Sequence, residues 1–109
     1  MEQQISEKLM SLGIRPDMRG YHYLLDAVKT KLENPLASIH KDVYGNISEK
    51  FQTTPSRVER AIRHSIEVAY QVNSPAFGEL VRYWHEGDKP TNGWMMSTLA
   101  EMCRIKMVS

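Results

Sequence analysis

The sequence lacks the features that mark secreted and membrane proteins. It has one cysteine, Cys103, so it can form neither an intrachain disulfide nor a cysteine-based metal cluster. Its longest stretches without Asp, Glu, Lys or Arg are eleven residues (Val68–Gly78 and Pro90–Ala100). A membrane-spanning helix needs about 20 apolar residues. The segment MEQQISEKLM has no basic region followed by an apolar core, unlike a secretory signal. These absences predict a cytoplasmic location and no membrane partner.

An excess of charge of one sign is also missing. The chain has 14 basic and 13 acidic residues, a net charge of +1. Residues 1–56 carry 7 of each, and residues 57–109 carry 7 and 6. This balance excludes a disordered polyelectrolyte or a charged tail. A pI near 7.9 is also below the range typical of nucleic-acid-binding domains. Any DNA-binding function must therefore depend on the local placement of charge.

Strand signals are scarce, whereas apolar residues recur at helical spacing along the whole chain. The stripes that predict the first, second and last helices are Ile5, Leu9 and Leu12; Tyr21, Leu24, Leu25, Val28 and Leu32; and Met95, Leu99, Met102 and Cys103. Gly13 suits the C-terminal cap of the first helix. The pattern predicts an all-α domain of six or seven helices.

Turn and cap residues divide the middle of the chain. Asn34-Pro35 is typical of an N-cap followed by proline in the first turn, which predicts a short helix containing Leu36, Ile39 and Val43. Gly45-Asn46 predicts the next break, and Ile47 and Phe51 lie one turn apart on a second short helix, from which both are expected to enter the core. Thr54 and Pro55 then suit the cap and first position of a longer helix to about Tyr70.

Further breaks are expected late in the chain, at Asn73–Pro75 and at Gly87–Asn92. Between them, Phe77, Leu80, Val81 and Trp84 predict a short amphipathic helix. Met95 and Met96, with Trp94, are expected to belong to the core or to an interface.

The helix that begins at Pro55 has two different faces when its residues are placed at 100° intervals. One face is apolar or small: Val58, Ala61, Ile62, Ser65, Ile66 and Ala69. The other holds Ser56, Glu59, Arg60, Arg63 and Glu67, with Arg57 and His64 on a flank. A short helix, a tight turn and a longer helix with outward arginines are the organisation of a helix-turn-helix DNA reader. Gln52 stands near the place where this turn often has glycine.

The residue types suit DNA, although a solvated amphipathic helix would show the same spacing. A guanidinium group can donate two hydrogen bonds to guanine O6 and N7, worth roughly 1–3 kcal/mol of discrimination. Glu59 can accept from cytosine N4, or orient Arg60 or Arg63. Hydroxyl and backbone N–H groups at Thr53, Thr54 and Ser56 are placed to bind phosphates.

Several segments resemble the DNA-binding effector domain of the sporulation-initiation response regulator family. The most specific is SRVERAIRH (Ser56–His64), which continues to Tyr70 and is preceded by ISEKFQTTP (Ile47–Pro55). GYHYLLDAV (Gly20–Val28) resembles that domain's second helix, ISEKLMSLGI (Ile5–Ile14) its first helix, and KPTN (Lys89–Asn92) the loop before its last helix. The segments occur in the matching order over essentially the whole chain.

The resemblance implies a compact six-helix domain, residues 1–109, with a helix-turn-helix at about 44–70. In the family this domain follows a receiver domain, but no receiver domain is expected within these residues because the match uses all 109 of them. The chain would then be either a fragment of a longer regulator or a stand-alone relative. Its implied partner is double-stranded DNA, bound as a homodimer, and RNA polymerase is a further candidate. Glu59, Arg60 and Arg63 would then contact bases, and Ser56, Arg57 and His64 bases or phosphates. Thr53, Thr54 and Lys89 would contact phosphates.

Other chemistry has little support in the sequence. None of the four histidines (His22, His40, His64 and His85) pairs with another histidine or cysteine at ligand spacing, so no metal or cofactor is expected. His22 is expected on the wet side of its helix, and His85–Asp88 as a polar helix end. No phosphate-binding loop or nucleophile motif is present, so an enzyme is not predicted. The alternative is a helical module that sequesters a related regulator without binding DNA.

Overall fold

The fold consists of helices packed around one central helix. A computed structural model describes residues 1–82, 84 and 89–108, and these residues contain no strand. The helices are α1 (Glu2–Ser11), α2 (Arg19–Glu33), α3 (Gly45–Lys50), α4 (Pro55–Val72), α5 (Pro75–Val81) and α6 (Asn92–Val108), and a π-helical segment (Ile39–Tyr44) precedes α3. The radius of gyration is 12.9 Å, close to the ~13 Å of a compact domain of this length. The predicted all-α class is confirmed.

Helix α2 is the centre of the structure, because it packs against α1, α4 and α6. Its apolar stripe lies in a core to which every α-helix contributes. The closest approach is at Gly20, where a Cβ atom would overlap Ser65 Oγ and the carbonyl oxygen of Ala61 on α4. Glycine therefore sets how closely α2 and α4 approach.

The predicted caps of α1 and α4 are present. Gly13 follows α1 with φ +90°, its N–H donates to Met10 O at 3.0 Å, and the N–H of Ile14 donates to Leu9 O at 3.0 Å. These two bonds form a Schellman motif, which satisfies carbonyl groups at the helix end. Helix α4 ends at Asn73, whose φ of 50° is left-handed.

The prediction for Asn34–Tyr44 was wrong in two places. Asn34 ends α2 and its Oδ1 accepts a hydrogen bond from Leu36 N at 3.1 Å, so it forms a local turn instead of an N-cap. Leu36 is 93% exposed, outside any helix. Ser38 is the cap instead, because its side chain accepts from the N–H groups of Lys41 and Asp42.

Two further expectations need correction near α3. Gly45 makes no break, because its backbone is right-handed helical (φ −61°, ψ −49°) and joins the π-helical segment directly to α3. Phe51 lies at the end of α3 and is 39% exposed, so it is not a core residue like Ile47. Its ring packs edge-on against that of Tyr23, with 5.1 Å between the ring centroids.

The described residues in the last third of the chain agree with the prediction except at two positions. Trp84 lies beyond α5, which ends at Val81, and its ring centroid is 5.3 Å from that of Trp94. Asn92 belongs to α6 and not to the loop before it, because Thr91 Oγ1 accepts from Trp94 N at 3.2 Å and so caps that helix. The expectation for His85–Asp88 falls outside the described residues. Met95 and Met96 are fully buried core residues.

Candidate nucleic-acid interface

Helix α3, the turn at residues 51–54 and helix α4 form the predicted helix-turn-helix. Thr54 caps α4, since its Oγ1 accepts from Arg57 N at 3.2 Å, and Pro55 takes the first position. Gln52 adopts the left-handed conformation (φ 52°) at the place where glycine is common. The N–H of Thr53 donates to Ser48 O at 2.9 Å, which fixes the turn to α3. The turn therefore sets where α4 begins.

Burial divides α4 into the two faces that its sequence predicts. The buried residues are Val58, Ile62, Ser65, Ile66 and Ala69, and Ala61 is half-buried. The exposed residues include Ser56, Arg57, Arg60, Arg63 and His64. The hydroxyl of Ser65 is satisfied within the helix, because it donates to Ala61 O at 3.0 Å. The guanidinium groups of α4 thus face solvent on the side opposite the core.

The exposed arginines of α4 differ in their partners. Arg63 Nη1 donates to Glu59 Oε1 at 2.7 Å, one helical turn away. Glu59 is half-buried, so it holds Arg63 against the helix surface. Within the described part of the chain, no carboxylate lies within 4.0 Å of the guanidinium of Arg57 or Arg60. These two groups are available to an external acceptor without first breaking an ion pair.

The start of α6 is tied to α4 by one side chain. Asn92 Nδ2 donates to the hydroxyl of Tyr44 at 3.0 Å and to the carbonyl oxygen of Glu59 at 3.1 Å. Burial raises the pKa of the Tyr44 phenol, so this hydroxyl stays neutral at physiological pH. Asn92 therefore fixes the residues that precede α6 beside the outer surface of α4.

Lys89 lies close to α4 as a result. Its Nζ is 3.4 Å from Glu67 Oε1, and both side chains are partly exposed. Glu67 is ten residues after Arg57, or about 15 Å further along the helix. Lys89, Glu67, Arg63 and Glu59 line an open groove of about 460 Å³. Its two cations face two carboxylates, so the groove is close to electrically neutral.

A second groove was missed by the sequence reasoning. It lies between the first turn of α2 and the turn before α4, and has a volume of about 390 Å³. Arg19, His22 and Arg57 line it, and His22 is exposed as expected. The available signal was a basic residue at the start of α2. Nothing in the local sequence shows that this residue meets the turn before α4.

The predicted site residues therefore fall into two sets. Those from Thr53 to His64 lie on or next to the first three turns of α4, and Lys89 joins the helix further along through Glu67. Thr53 is half-buried, whereas Thr54 is exposed with its oxygen accepting the cap hydrogen bond. Among the residues described, no three His, Cys, Asp or Glu side chains come together as metal ligands. No helix in that part is long and apolar enough to span a bilayer.

The helices form a core that leaves one face of α4, the second helix of the helix-turn-helix, exposed to solvent. This arrangement is typical of the class of helix-turn-helix effector domains. A family model described as "Sporulation initiation factor Spo0A C terminal" matches residues 5–103. The chain belongs to this family of sporulation effector domains, which are DNA-binding domains of transcription regulators and not enzymes. The family resemblance of the sequence is thereby confirmed.

Proposed function

We propose that this domain binds specific sequences of double-stranded DNA and thereby regulates transcription, with residues 55–70 of α4 lying in the major groove. The observation that carries the proposal is that Arg57 and Arg60, on the helix that follows the turn, face solvent and have no carboxylate partner among the described residues. An exposed α-helix fits the major groove, where arginine can recognise guanine through two hydrogen bonds. The opposite face of α4 is buried, so only the face with the arginines can contact a ligand.

The proposed contacts follow the position of each side chain on α4. Arg60 and Arg63 are exposed on α4, Glu59 is paired with Arg63, and these three residues are assigned to bases. Ser56, Arg57 and His64 flank this row and are assigned to bases or phosphates. Thr53, Thr54 and Lys89 lie at the edges of the surface, where a phosphate backbone would run, and are assigned to phosphates.

Binding to DNA changes the ion pairs at this surface. Arg63 must exchange Glu59 for a base or keep it as a shared partner, and Lys89 must exchange Glu67 for a phosphate. Exposed ion pairs contribute only about 0–1 kcal/mol, so the exchange costs little. Phosphate neutralisation releases counterions and would supply most of the affinity.

The test is a selection of bound sequences from a random duplex pool, followed by affinity measurements over a range of salt. We expect an enriched sequence whose log affinity falls with log salt by about 0.9 for each phosphate neutralised. A shuffled duplex of the same composition should bind more weakly, with a similar salt slope. Absence of binding to any duplex at low salt would contradict the proposal, and would favour a module that sequesters a related regulator.

A further inference from the structure

The groove between α2 and the turn before α4 is basic, and no acidic residue is among the described residues that line it. Arg19 enters it from the first turn of α2, and Arg57 enters it from the first turn of α4. Within the described residues, no carboxylate lies within 4.0 Å of either guanidinium. The groove at Lys89 differs, because each of its two cations is paired with a glutamate. A chain of almost zero net charge thus places two arginines in one groove, and neither has a carboxylate partner among the described residues.

The remaining polar groups of the groove are also donors suited to an anion. The side chains of Gln52 and Thr53 have no hydrogen-bond partner among the described residues, and both line the groove. His22 Nε2 donates to the carbonyl oxygen of Pro16 at 2.7 Å, which fixes the ring as one wall. Two guanidinium groups, an amide and a hydroxyl can together surround the oxygens of a tetrahedral anion.

The position of Arg57 indicates which anion this is. Arg57 belongs both to the exposed surface of α4 and to the groove. A duplex placed against that surface therefore passes directly beside the groove. DNA carries a phosphate about every 1.7 Å of helix axis when both strands are counted, so the anion that a duplex brings to this edge of α4 is a backbone phosphate.

We propose that Arg19 and Arg57 clamp one backbone phosphate of the bound duplex in this groove. Arg19 is the added contact, from a helix outside the helix-turn-helix. The proposal rests on the proposed function, because the phosphate is part of the DNA that α4 reads. The clamp fixes the position of α4 along the duplex and carries no sequence information itself.

The test compares wild type with Arg19→Ala on the selected duplex and on its shuffled counterpart. We expect Arg19→Ala to weaken the affinity for both duplexes by about the same factor, on the order of tenfold, because a charge-assisted hydrogen bond is lost. The salt slope should become shallower by about one unit. Arg19→Lys should restore most of the salt slope, because it keeps the charge. Arg19 is exposed, so circular dichroism and the thermal midpoint should not change.

Lys8→Ala is the matched control, because it removes the same charge from a groove between α1 and α6. An equal loss for Lys8→Ala and Arg19→Ala would overturn the clamp in favour of a bulk charge effect. An unchanged duplex affinity for Arg19→Ala would also overturn it, even if calorimetry showed inorganic phosphate binding to wild type. Neither of these two results would contradict the proposed function. If the wild-type protein bound no duplex, both the proposed function and the phosphate clamp would be wrong.

Discussion

At the scale of single residues, the decisive property is whether a cation already has an intramolecular partner. Arg63 and Lys89 are paired with glutamates, whereas Arg57 and Arg60 have no carboxylate within reach in the described part of the chain. Net charge conceals this difference, because a paired and an unpaired arginine count equally. A nearly neutral domain can therefore present a locally basic surface to DNA.

Replacement of Lys89 tests its assignment to a phosphate. Lys89→Ala should weaken binding to all duplexes alike and make the salt slope shallower by about one unit. The free energy of unfolding should change by less than about 1 kcal/mol, since the pair with Glu67 is exposed. Filter binding on the selected and shuffled duplexes measures the effect.

The control for Lys89 is Lys29→Ala. Lys29 Nζ also forms an ion pair, at 2.7 Å from Glu2 Oε1, but between α1 and α2. Its removal should leave the DNA affinity almost unchanged. A loss of affinity confined to the selected duplex would mean that Lys89 contacts a base and not a phosphate.

At the scale of helices, the packing of α2 against α4 sets where the proposed recognition surface lies. Gly20→Ala should destabilise the fold by about 1–3 kcal/mol, because the new methyl group meets Ser65 and a backbone carbonyl that cannot move alone. Gly20→Ala combined with Ser65→Ala should remain destabilised, since the carbonyl oxygen of Ala61 still blocks the site. Urea unfolding gives both values.

Gly78→Ala is the matched control for this prediction. Gly78 lies inside α5, and an added Cβ would have no heavy atom within 4 Å among the described residues. It should raise the free energy of unfolding by up to about 1 kcal/mol, because alanine favours the helix. Equal destabilisation by both substitutions would contradict a specific close contact at Gly20.

Local signals predicted most of the fold. The stripes of α2 and α4, the cap at Thr54 and the Schellman motif at Gly13 depend on neighbours within a few residues, and each is present. Asn34-Pro35 was misread, since asparagine suits a local turn as well as an N-cap. Gly45 was misread because glycine disfavours a helix by only about 1 kcal/mol relative to alanine, and its backbone here is right-handed helical.

Features that depend on distant residues could not be predicted in this way. Three features join residues 33 to 45 positions apart in the sequence. They are the close approach of Gly20 to Ser65, the hydrogen bond from Asn92 to the Glu59 carbonyl, and the groove that both Arg19 and Arg57 line. Periodicity assigns a residue to a face of its own helix. It does not show which helix lies opposite that face.

At the scale of the whole molecule, the dimensions of the domain suit two copies bound in neighbouring major grooves of one duplex. The principal dimensions are 34 × 31 × 26 Å. Half-sites read by paired helix-turn-helix domains lie one helical turn apart, about 34–36 Å. Two copies with their α4 helices in successive major grooves would therefore be close enough to touch. Met95 and Met96 do not form their interface, because both are fully buried.

We accordingly propose that the domain binds as a homodimer to duplexes with two half-sites. Size-exclusion chromatography with light scattering should show two protein copies on a duplex with half-sites about 10 base pairs apart. A duplex with one half-site should carry one copy. Binding of a single copy to both duplexes would contradict the dimer, without affecting the assignment of α4.

Whether the exposed face of α4 reads sequence is best decided by the affinity of Arg60→Ala for selected and for random DNA. Arg60 is exposed on α4 and has no carboxylate partner in the described residues, so its removal should not disturb the fold. We expect a loss of roughly 1–3 kcal/mol in the free energy of binding to the selected sequence, little loss on random DNA, and a relaxed preference at one base pair. An equal loss on both would contradict the claim that the exposed face of α4 reads sequence.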